Sequence, residues 1–229
     1  MKELEAVSPK ISDWVLYKNN QLIAFNKPAG IPIQPDKTEA KSLQDLGEIY
    51  AKSNLFIIHR IDRPASGVIV LAKSKKGLAR MNAQFQERTI KKTYLAVVKK
   101  APEKSEGQLI HYLRKNEKAN KTQVFEAPVK GGKKAILNYK VIGKSDNYTL
   151  LEIDLETGRH HQIRAQLAKI GSPIKGDVKY GARRSNKDRS IHLHAWKLSF
   201  HHPVTSETVD LVADMPEDAI WNFFKSEMR

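Results

Sequence analysis

The sequence predicts an α+β fold, with a mixed, largely antiparallel central sheet and flanking helices. Three observations support this class. Strand-like runs outnumber helical stretches, their order along the chain is irregular, and short basic turns separate successive strands in the middle of the chain. No repeat, low-complexity tract or long linker divides the 229 residues, so we expect one domain over residues 1–229, with room for two lobes.

The first elements are predicted to be a hairpin and a helix. Apolar-rich runs at 14–17 and 22–25 flank a polar Lys-Asn-Asn turn, which is typical of two paired strands. Asp45 follows Ser42 by three positions, the spacing of a capping box, and apolar residues then recur at helical spacing. These apolar residues are Leu43, Leu46, Ile49 and Tyr50.

The rest of the chain predicts three more helices among many strands. Ser74 is placed to cap the second helix. Residues 91–98 alternate as a strand with Tyr94 on one face, and further strands fill residues 108–154. The remaining predictions are a helix over about 160–170 ended by Gly171, a strand over 191–200, and a helix over 216–225 with Asp214 near its start.

The chain is strongly basic. It has 40 Lys and Arg against 25 Asp and Glu, a net charge of +15 and a sequence pI near 9.8. This balance favours a polyanionic partner such as nucleic acid, although it also fits a basic protein with no such role. The absence of cysteine excludes disulfides, thiolate nucleophiles and cysteine-based metal sites.

The sequence gives no sign of a membrane or an export route. No apolar run approaches the roughly 20 residues that a spanning helix needs. Residues 1–10 contain no apolar stretch of the kind that marks a signal peptide. We therefore expect a cytoplasmic protein without a membrane partner, and the sequence leaves a monomer as the default.

One charged segment lies between two apolar runs, at 56–58 and 68–72, that we expect to be buried strands. Its residues are His59, Arg60, Ile61, Asp62 and Arg63, followed by a Ser-Gly turn. Ionisable groups on a loop held by a rigid scaffold are typical of a functional site. A structural Asp–Arg pair that closes the turn explains the same pattern.

A second segment, residues 157–164, carries two Arg, two His and one Gln within six positions. In the predicted helix His160, Ile163 and Arg164 would share one face. Because Ile163 is apolar, Arg164 is expected to point inward and to need an acidic partner, for which Asp62 is the candidate. The alternative is the basic first turn of a solvated helix.

Two further patterns are weaker. Residues 176–181 form a glycine-framed turn before a basic run at 183–189, which predicts either a phosphate-contacting loop or a solvated one. The eight histidines form pairs, but none has the spacing of a zinc motif, so we expect no metal site.

Together these segments resemble the RluA-type family of RNA pseudouridine synthases. The resemblance spans about residues 22–205, and five stretches occur in the family's order. They are NKPAG at 26–30, HRID at 59–62 with SG at 66–67, KTYLA at 92–96, TGRHHQIR at 157–164 with GDVKYG at 176–181, and LHA at 193–195 with HP at 202–203. The chain departs from the family pattern at Ile61, Ala65 and His160, where the family commonly has Leu, Thr and Thr.

The resemblance implies the pseudouridine synthase fold, as a single catalytic domain, and the isomerisation of uridine in ribosomal or transfer RNA, without a cofactor or metal. It implies that Asp62 is the catalytic residue, either as a nucleophile or as a base. The supporting residues that it implies are His59, Arg60, Tyr94, Ile163 and Arg164. Some relatives carry an N-terminal RNA-binding domain, and because the match begins at about residue 22 we expect none here. A non-catalytic RNA-binding protein and a metal-dependent nuclease are the rival functions.

Overall fold

The structure, a computed structural model, describes residues 10–36 and 40–228. Four helices flank the sheet: α1 Leu43–Ala51, α2 Lys75–Glu87, α3 Gln162–Lys169 and α4 Ala219–Glu227. The strands are β1 Val15–Lys18, β2 Leu22–Lys27, β3 Phe56–Ile57, β4 Ser66–Ala72, β5 Lys91–Val98, β6 Glu106–Asn116, β7 Lys121–Phe125, β8 Lys133–Lys144, β9 Thr149–Leu155, β10 Leu193–His201 and β11 Thr208–Val212. The fold is α+β, as the sequence predicted.

Within the described residues the strands form one open sheet in the order β1-β2-β4-β10-β5-β9-β8-β6-β7, with β3 beside β4 and β11 beside β10. The β4–β10 pair is parallel, and the other pairs are antiparallel. The sheet is therefore mixed and mostly antiparallel. The hairpin predicted near the start is β1–β2.

Strand β4 is the most deeply buried strand of the sheet. Each of its seven residues is buried, which agrees with the apolar run in the sequence. Successive residues pack on opposite faces, so Val70 lies in one apolar cluster and Leu71 in another. Because both faces of β4 are covered, the loop that precedes it is held on a rigid support.

Helix α1 begins as predicted, but its buried face differs. The side chain of Ser42 accepts from Asp45 N–H, and Asp45 accepts in return from Ser42 N–H. Ile49 was expected in the apolar stripe, yet it is 62% exposed. The core instead closes over Gly47, where an added Cβ would lie 2.8 Å from a Leu55 methyl group.

Helix α4 begins later than predicted, at Ala219. Its N-cap is Asp218, which accepts from the backbone N–H groups of Ile220 and Trp221, so Asp214 is farther from the helix start than expected. An aspartate one residue before the first helical residue caps it better than one five residues away. Among the described residues no helix has the length and apolar character needed to cross a bilayer. Residues 1–9, part of the stretch examined for a signal peptide, lie outside the described residues.

Candidate active site

A cleft of about 840 Å³ lies where the β3–β4 loop, the start of β5 and the β9–α3 loop meet. This volume is within the range of ligand pockets, roughly 300–1,000 Å³. Every site residue named from the sequence lines it: His59, Arg60, Asp62, Tyr94, Ile163 and Arg164. The cleft therefore brings together segments that are about 100 residues apart in the chain.

The register of three neighbouring strands explains why these segments meet. Ala195 of β10 lies opposite Gly67 of β4 on one side and opposite Tyr94 of β5 on the other. Gly67 has φ +116°, and a Cβ there would lie 2.2 Å from the carbonyl oxygen of Ala195. Only glycine permits this close approach. The Ser-Gly pair expected as a turn is instead the start of β4, and Gly67 sets the Asp62 loop beside Tyr94.

Asp62 is held by one short contact. Arg164 Nη1 donates to Asp62 Oδ2 over 2.9 Å, as the inward-pointing arginine predicted. The other oxygen, Oδ1, lies 3.7 Å from His161 Nε2. The side chain of Asp62 is 23% exposed, so one carboxylate is both held and open to the cleft.

Arg164 has a second acidic partner, Asp177. Its Nε donates to Oδ2 over 2.6 Å and its Nη2 donates to Oδ1 over 2.8 Å, while its guanidinium also lies over the ring of Tyr180. Burial acts to lower the pKa of Arg164, but the hydrogen bonds and charges of Asp177 and Asp62 outweigh it and raise the pKa. The guanidinium is therefore a permanent cation between two carboxylates.

This contact gives one residue of the 176–181 turn a structural role. Asp177 is 1% exposed and faces Arg164, whereas Val178 and Lys179 are exposed, so the turn is solvated in part and its phosphate contact stays a prediction. A buried carboxylate needs a charge partner, and Arg164 supplies it. Nothing in the local pattern identified Asp177, because its partner is 13 residues away on a different element.

Helix α3 begins two residues later than predicted. His161 is its N-cap and has φ +49°, in the left-handed region, so the chain turns sharply before Gln162. His160 therefore lies outside the helix, and its expected shared face with Ile163 and Arg164 is wrong. His160 instead stacks on His161, with ring centroids 3.7 Å apart.

His161 was absent from the expected site, and its hydrogen bonds indicate which ring nitrogen carries the proton. The hydroxyl of Tyr180 accepts from Thr122 N–H over 2.7 Å and lies 2.9 Å from His161 Nδ1. The carboxylate of Asp62 only accepts, so it favours a proton on the facing Nε2, and the Tyr180 hydroxyl then satisfies both of its contacts by donating its proton to Nδ1. We therefore assign the proton of His161 to Nε2, the nitrogen that faces Asp62. Burial lowers the pKa of His161 to about 4, which keeps the ring neutral at pH 7.

Tyr94 and His59 line the cleft as uncharged groups. Burial, with a smaller contribution from the charge of Asp62, raises the pKa of Tyr94. His59 Nε2 accepts from Val70 N–H over 3.1 Å, and its ring stacks on Phe85. Burial lowers the pKa of His59 to about 4. His59 is thus tied to the scaffold, whereas Tyr94 presents a protonated phenol.

Lys27 supports the Asp62 loop from behind. Its side chain is fully buried, and its Nζ donates to the carbonyl oxygens of Pro28, Ile31 and Arg63. Burial lowers the pKa of Lys27 to about 7. These contacts join the loop at 26–30, which the sequence resemblance included, to the residue that follows Asp62.

The cleft carries an excess of positive charge. Its described lining includes seven lysine and arginine side chains and three carboxylates. The cations are Arg60, Arg63, Arg88, Lys92, Lys115, Arg159 and Arg164. Over residues 10–36 and 40–228, no three His, Asp or Glu side chains converge as metal ligands would. The arrangement suits an anionic ligand that brings an uncharged group to Asp62.

Comparisons with known proteins identify the family of this chain. A family model described as RNA pseudouridylate synthase matches residues 21–169. An uncharacterized RNA pseudouridine synthase from Synechocystis sp. is 33% identical over 226 residues, covering 93% of this chain and 68% of that protein. Ribosomal large subunit pseudouridine synthase D of Zymomonas mobilis is 31% identical over 222 residues, covering 89% of this chain and 69% of that protein.

A solved structure supports the fold. The chain superposes on human RNA pseudouridylate synthase domain containing 4 with a TM-score of 0.77, at 24% identity, covering 95% of this chain and 94% of the human one. The family model begins within one residue of the resemblance noted from the sequence and covers the HRID, KTYLA and TGRHHQIR stretches. The chain belongs to the RluA-type family of RNA pseudouridine synthases, and it is an RNA-modifying isomerase.

Proposed function

We propose that this enzyme converts specific uridines of ribosomal or transfer RNA to pseudouridine, in the cytoplasm, and that Asp62 is its catalytic residue. One observation carries the proposal. Asp62 is held by Arg164 at 2.9 Å, yet it is partly exposed in a cationic cleft beside Tyr94. A carboxylate is the form of aspartate that attacks carbon or takes a proton, and Arg164 holds this one in place at the cleft.

The substrate base must leave its stack before it can react. A base within stacked RNA does not reach a side chain at the bottom of a cleft, so the uridine is flipped into it. The cost of unstacking is offset by contacts between the cationic rim and the backbone. Arg60 lies on that rim, where its Nη1 contacts Gln34 Oε1 over 3.3 Å. We assign Arg60 to the space that the flipped base leaves or to an adjacent phosphate.

Asp62 begins the reaction in one of two ways. Its carboxylate attacks C1′, forming an ester and releasing uracil as an N1 anion, or it removes a proton from the sugar as the same N1–C1′ bond breaks. The uracil then turns and C5 bonds to C1′, as the ester C1′–O bond breaks in the first route or as Asp62 returns its proton to the sugar in the second. The C5 proton then moves to N1, and Asp62 is again a free carboxylate. The reaction is an isomerisation, so it needs no oxidant, reductant or water.

Three neighbours support this chemistry. Arg164 orients Asp62 through their 2.9 Å contact. The ring of Tyr94 stacks on the uracil, and because its raised pKa keeps the hydroxyl protonated, we assign it as a hydrogen-bond donor rather than a base. Ile163, which is 4% exposed at the cleft, packs against the base.

We assign His161 as a positioning residue. With its proton on Nε2, it orients Asp62 Oδ1 without adding a second full positive charge beside Arg164. The 3.7 Å separation is longer than a hydrogen bond, so the interaction is electrostatic in this state.

The test is a pseudouridine map of total cellular RNA, made by carbodiimide treatment and primer extension, with and without the gene. We expect one or more stops to disappear with the gene and to return with the wild-type copy but not with Asp62→Asn. A map in which every stop survives loss of the gene, or returns with Asp62→Asn, would overturn the proposal.

A further inference from the structure

Three cations of the cleft lie together at one end of β5. Lys92 is the second residue of the strand, and Arg88, the C-cap of helix α2, lies three residues before the strand begins. Because Thr93 pairs with Asp154 in the antiparallel β9, the chain leaving β9 passes beside Lys92. Arg159 lies on that segment. At the neighbouring Gly158, an added Cβ would lie 4.0 Å from Lys92 Nζ.

These three side chains have little negative charge to balance them. Arg159 Nε donates to the carbonyl oxygen of Lys134, and among the described residues Lys92 and Arg88 have no side-chain hydrogen bond or ion pair. The carboxylates of the cleft are engaged elsewhere. Asp36 pairs with Arg63, Asp62 pairs with Arg164, and Glu156 accepts from Gln108 and Asn138.

The unbalanced charge is reflected in Lys92 itself. Burial lowers the pKa of Lys92, and the charges of Arg88 and Arg159 lower it further. Like charges that are partly removed from water repel one another and destabilise the charged form of each group. A bound anion would relieve this repulsion and gain charge-assisted hydrogen bonds.

We propose that Lys92, Arg88 and Arg159 bind one phosphodiester of the RNA backbone, next to the nucleotide whose base enters over Asp62. This inference rests on the proposed function. Lys92 and Tyr94 are two residues apart on one strand, so they point to the same side at a spacing of roughly 7 Å. That spacing is of the order of one nucleotide, with the base against Tyr94 and its phosphate at Lys92.

A phosphodiester fits these residues better than other parts of RNA. Uracil and ribose are uncharged, so neither would compensate three cations. A phosphodiester carries a permanent negative charge on two outward oxygens, which guanidinium groups bind through paired donors and lysine binds as a point charge.

The test measures RNA affinity for the wild type, Lys92→Gln and Lys92→Arg. The probe is a synthetic hairpin RNA with a loop of uridines, titrated over a series of salt concentrations. Lys91→Gln is the matched control, because Lys91 is exposed, adjacent on the same strand and points to the opposite side. We expect Lys92→Gln to weaken binding about fivefold to tenfold and to reduce the magnitude of the salt slope by about 0.7, the value for one phosphate of a single strand.

A second probe identifies the bonded group. In a hairpin whose loop carries neutral methylphosphonates, Lys92→Gln and the wild type should bind equally. Lys92→Arg should retain the wild-type salt slope on the normal hairpin. Lys92→Gln should melt at or above the wild-type temperature, because it removes a repulsive charge.

Three outcomes overturn the inference. They are equal losses with Lys91→Gln and Lys92→Gln, an unchanged salt slope in Lys92→Gln, or an equal loss on both hairpins. Pseudouridine formation is measured in parallel with the wild type and reports on the proposed function alone. If the hairpin is bound but not isomerised, the affinity measurements still test the phosphate contact.

Discussion

Two carboxylates share one guanidinium, and their surroundings differ sharply. Behind Arg164, Asp177 is 1% exposed and accepts from two of its nitrogens. In front, the side chain of Asp62 is 23% exposed and accepts from one. The rear contact satisfies both oxygens of Asp177, whereas the front contact leaves one oxygen of Asp62 to the cleft.

This difference indicates a structural role for Asp177 and a reactive role for Asp62. A carboxylate with both oxygens bound and no access to solvent has no reach toward a substrate. It can, however, fix the plane of the guanidinium, since a bidentate pair allows little rotation. We therefore interpret Asp177 as the anchor of Arg164 and Asp62 as the group that reacts.

The largest expected effect is on rate, from Asp62→Asn. An amide neither attacks C1′ nor removes a proton, so we expect isomerisation to fall by at least about a thousandfold while RNA affinity stays within about threefold. Single-turnover assays and equilibrium binding on the mapped RNA measure the two quantities. Retained turnover would assign the reactive group elsewhere in the cleft.

The next effect is on stability, from Asp177→Asn. Losing one partner of a buried ion pair typically costs about 3–5 kcal/mol, and because Asp62 still pairs with Arg164 we expect the lower end of that range. We expect a loss of that order in the free energy of unfolding, measured by urea denaturation. Asp62→Asn is the matched control and should cost less than about 1 kcal/mol, since Asp62 is partly solvated. A larger loss for Asp62→Asn would reverse the comparison.

Because Arg164 pairs with both Asp62 and Asp177, a single substitution of Arg164 does not isolate its effect on Asp62. Arg164→Met removes the contact to Asp62 but also leaves Asp177 buried without a partner, so a fall in rate could reflect unfolding. The double variant Arg164→Met with Asp177→Asn removes both charges together. Its rate, compared with that of Asp177→Asn, isolates what Arg164 gives to Asp62.

The sequence could predict the contact of Arg164 with Asp62 but not its contact with Asp177. An inward arginine beside Ile163 calls for an acid, and the segment at 59–63 supplied one. A guanidinium has five donors, however, and one carboxylate leaves most of them unused. The second acid lies on a loop that folds back over α3, and neither periodicity nor spacing encodes such a return.

The start of α3 shows a similar limit. Helical spacing predicted His160 as the first residue, but His161 adopts φ +49°. Histidine is enriched there several-fold, but so few residues other than glycine adopt this conformation that the pattern did not identify it. By contrast β4 and the capping box of α1 depend on neighbouring residues alone, and both were predicted correctly.

A smaller effect is the pH dependence of stability that His161, the neighbour of Asp62, produces. The pKa of His161 is lowered to about 4 from 6.5, so between these values the unfolded chain binds a proton that the folded chain does not. The contribution of the neutral His161 ring to the free energy of unfolding is therefore complete above about pH 6.5. This contribution is lost as the pH falls toward 4. We expect the wild type to lose about 1–2 kcal/mol more than His161→Gln between pH 7 and pH 5. Urea denaturation at both pH values checks this, and equal losses would contradict it.

The smallest effect is a rate change from Tyr180→Phe, which removes the proton donor to His161 Nδ1. The ring of His161 is then free to place its proton on Nδ1, away from Asp62. We expect kcat to fall about tenfold, roughly 1.4 kcal/mol, with KM nearly unchanged. In a His161→Gln background, Tyr180→Phe should have no further effect on kcat, because the ring it orients is absent. Its cost in stability, from the unpaired N–H of Thr122, should be the same in both backgrounds, about 1–3 kcal/mol. If Tyr180→Phe lowered kcat equally in both backgrounds, Tyr180 would act through Arg164, whose guanidinium lies over its ring, and the tautomer of His161 would have no part in orienting Asp62.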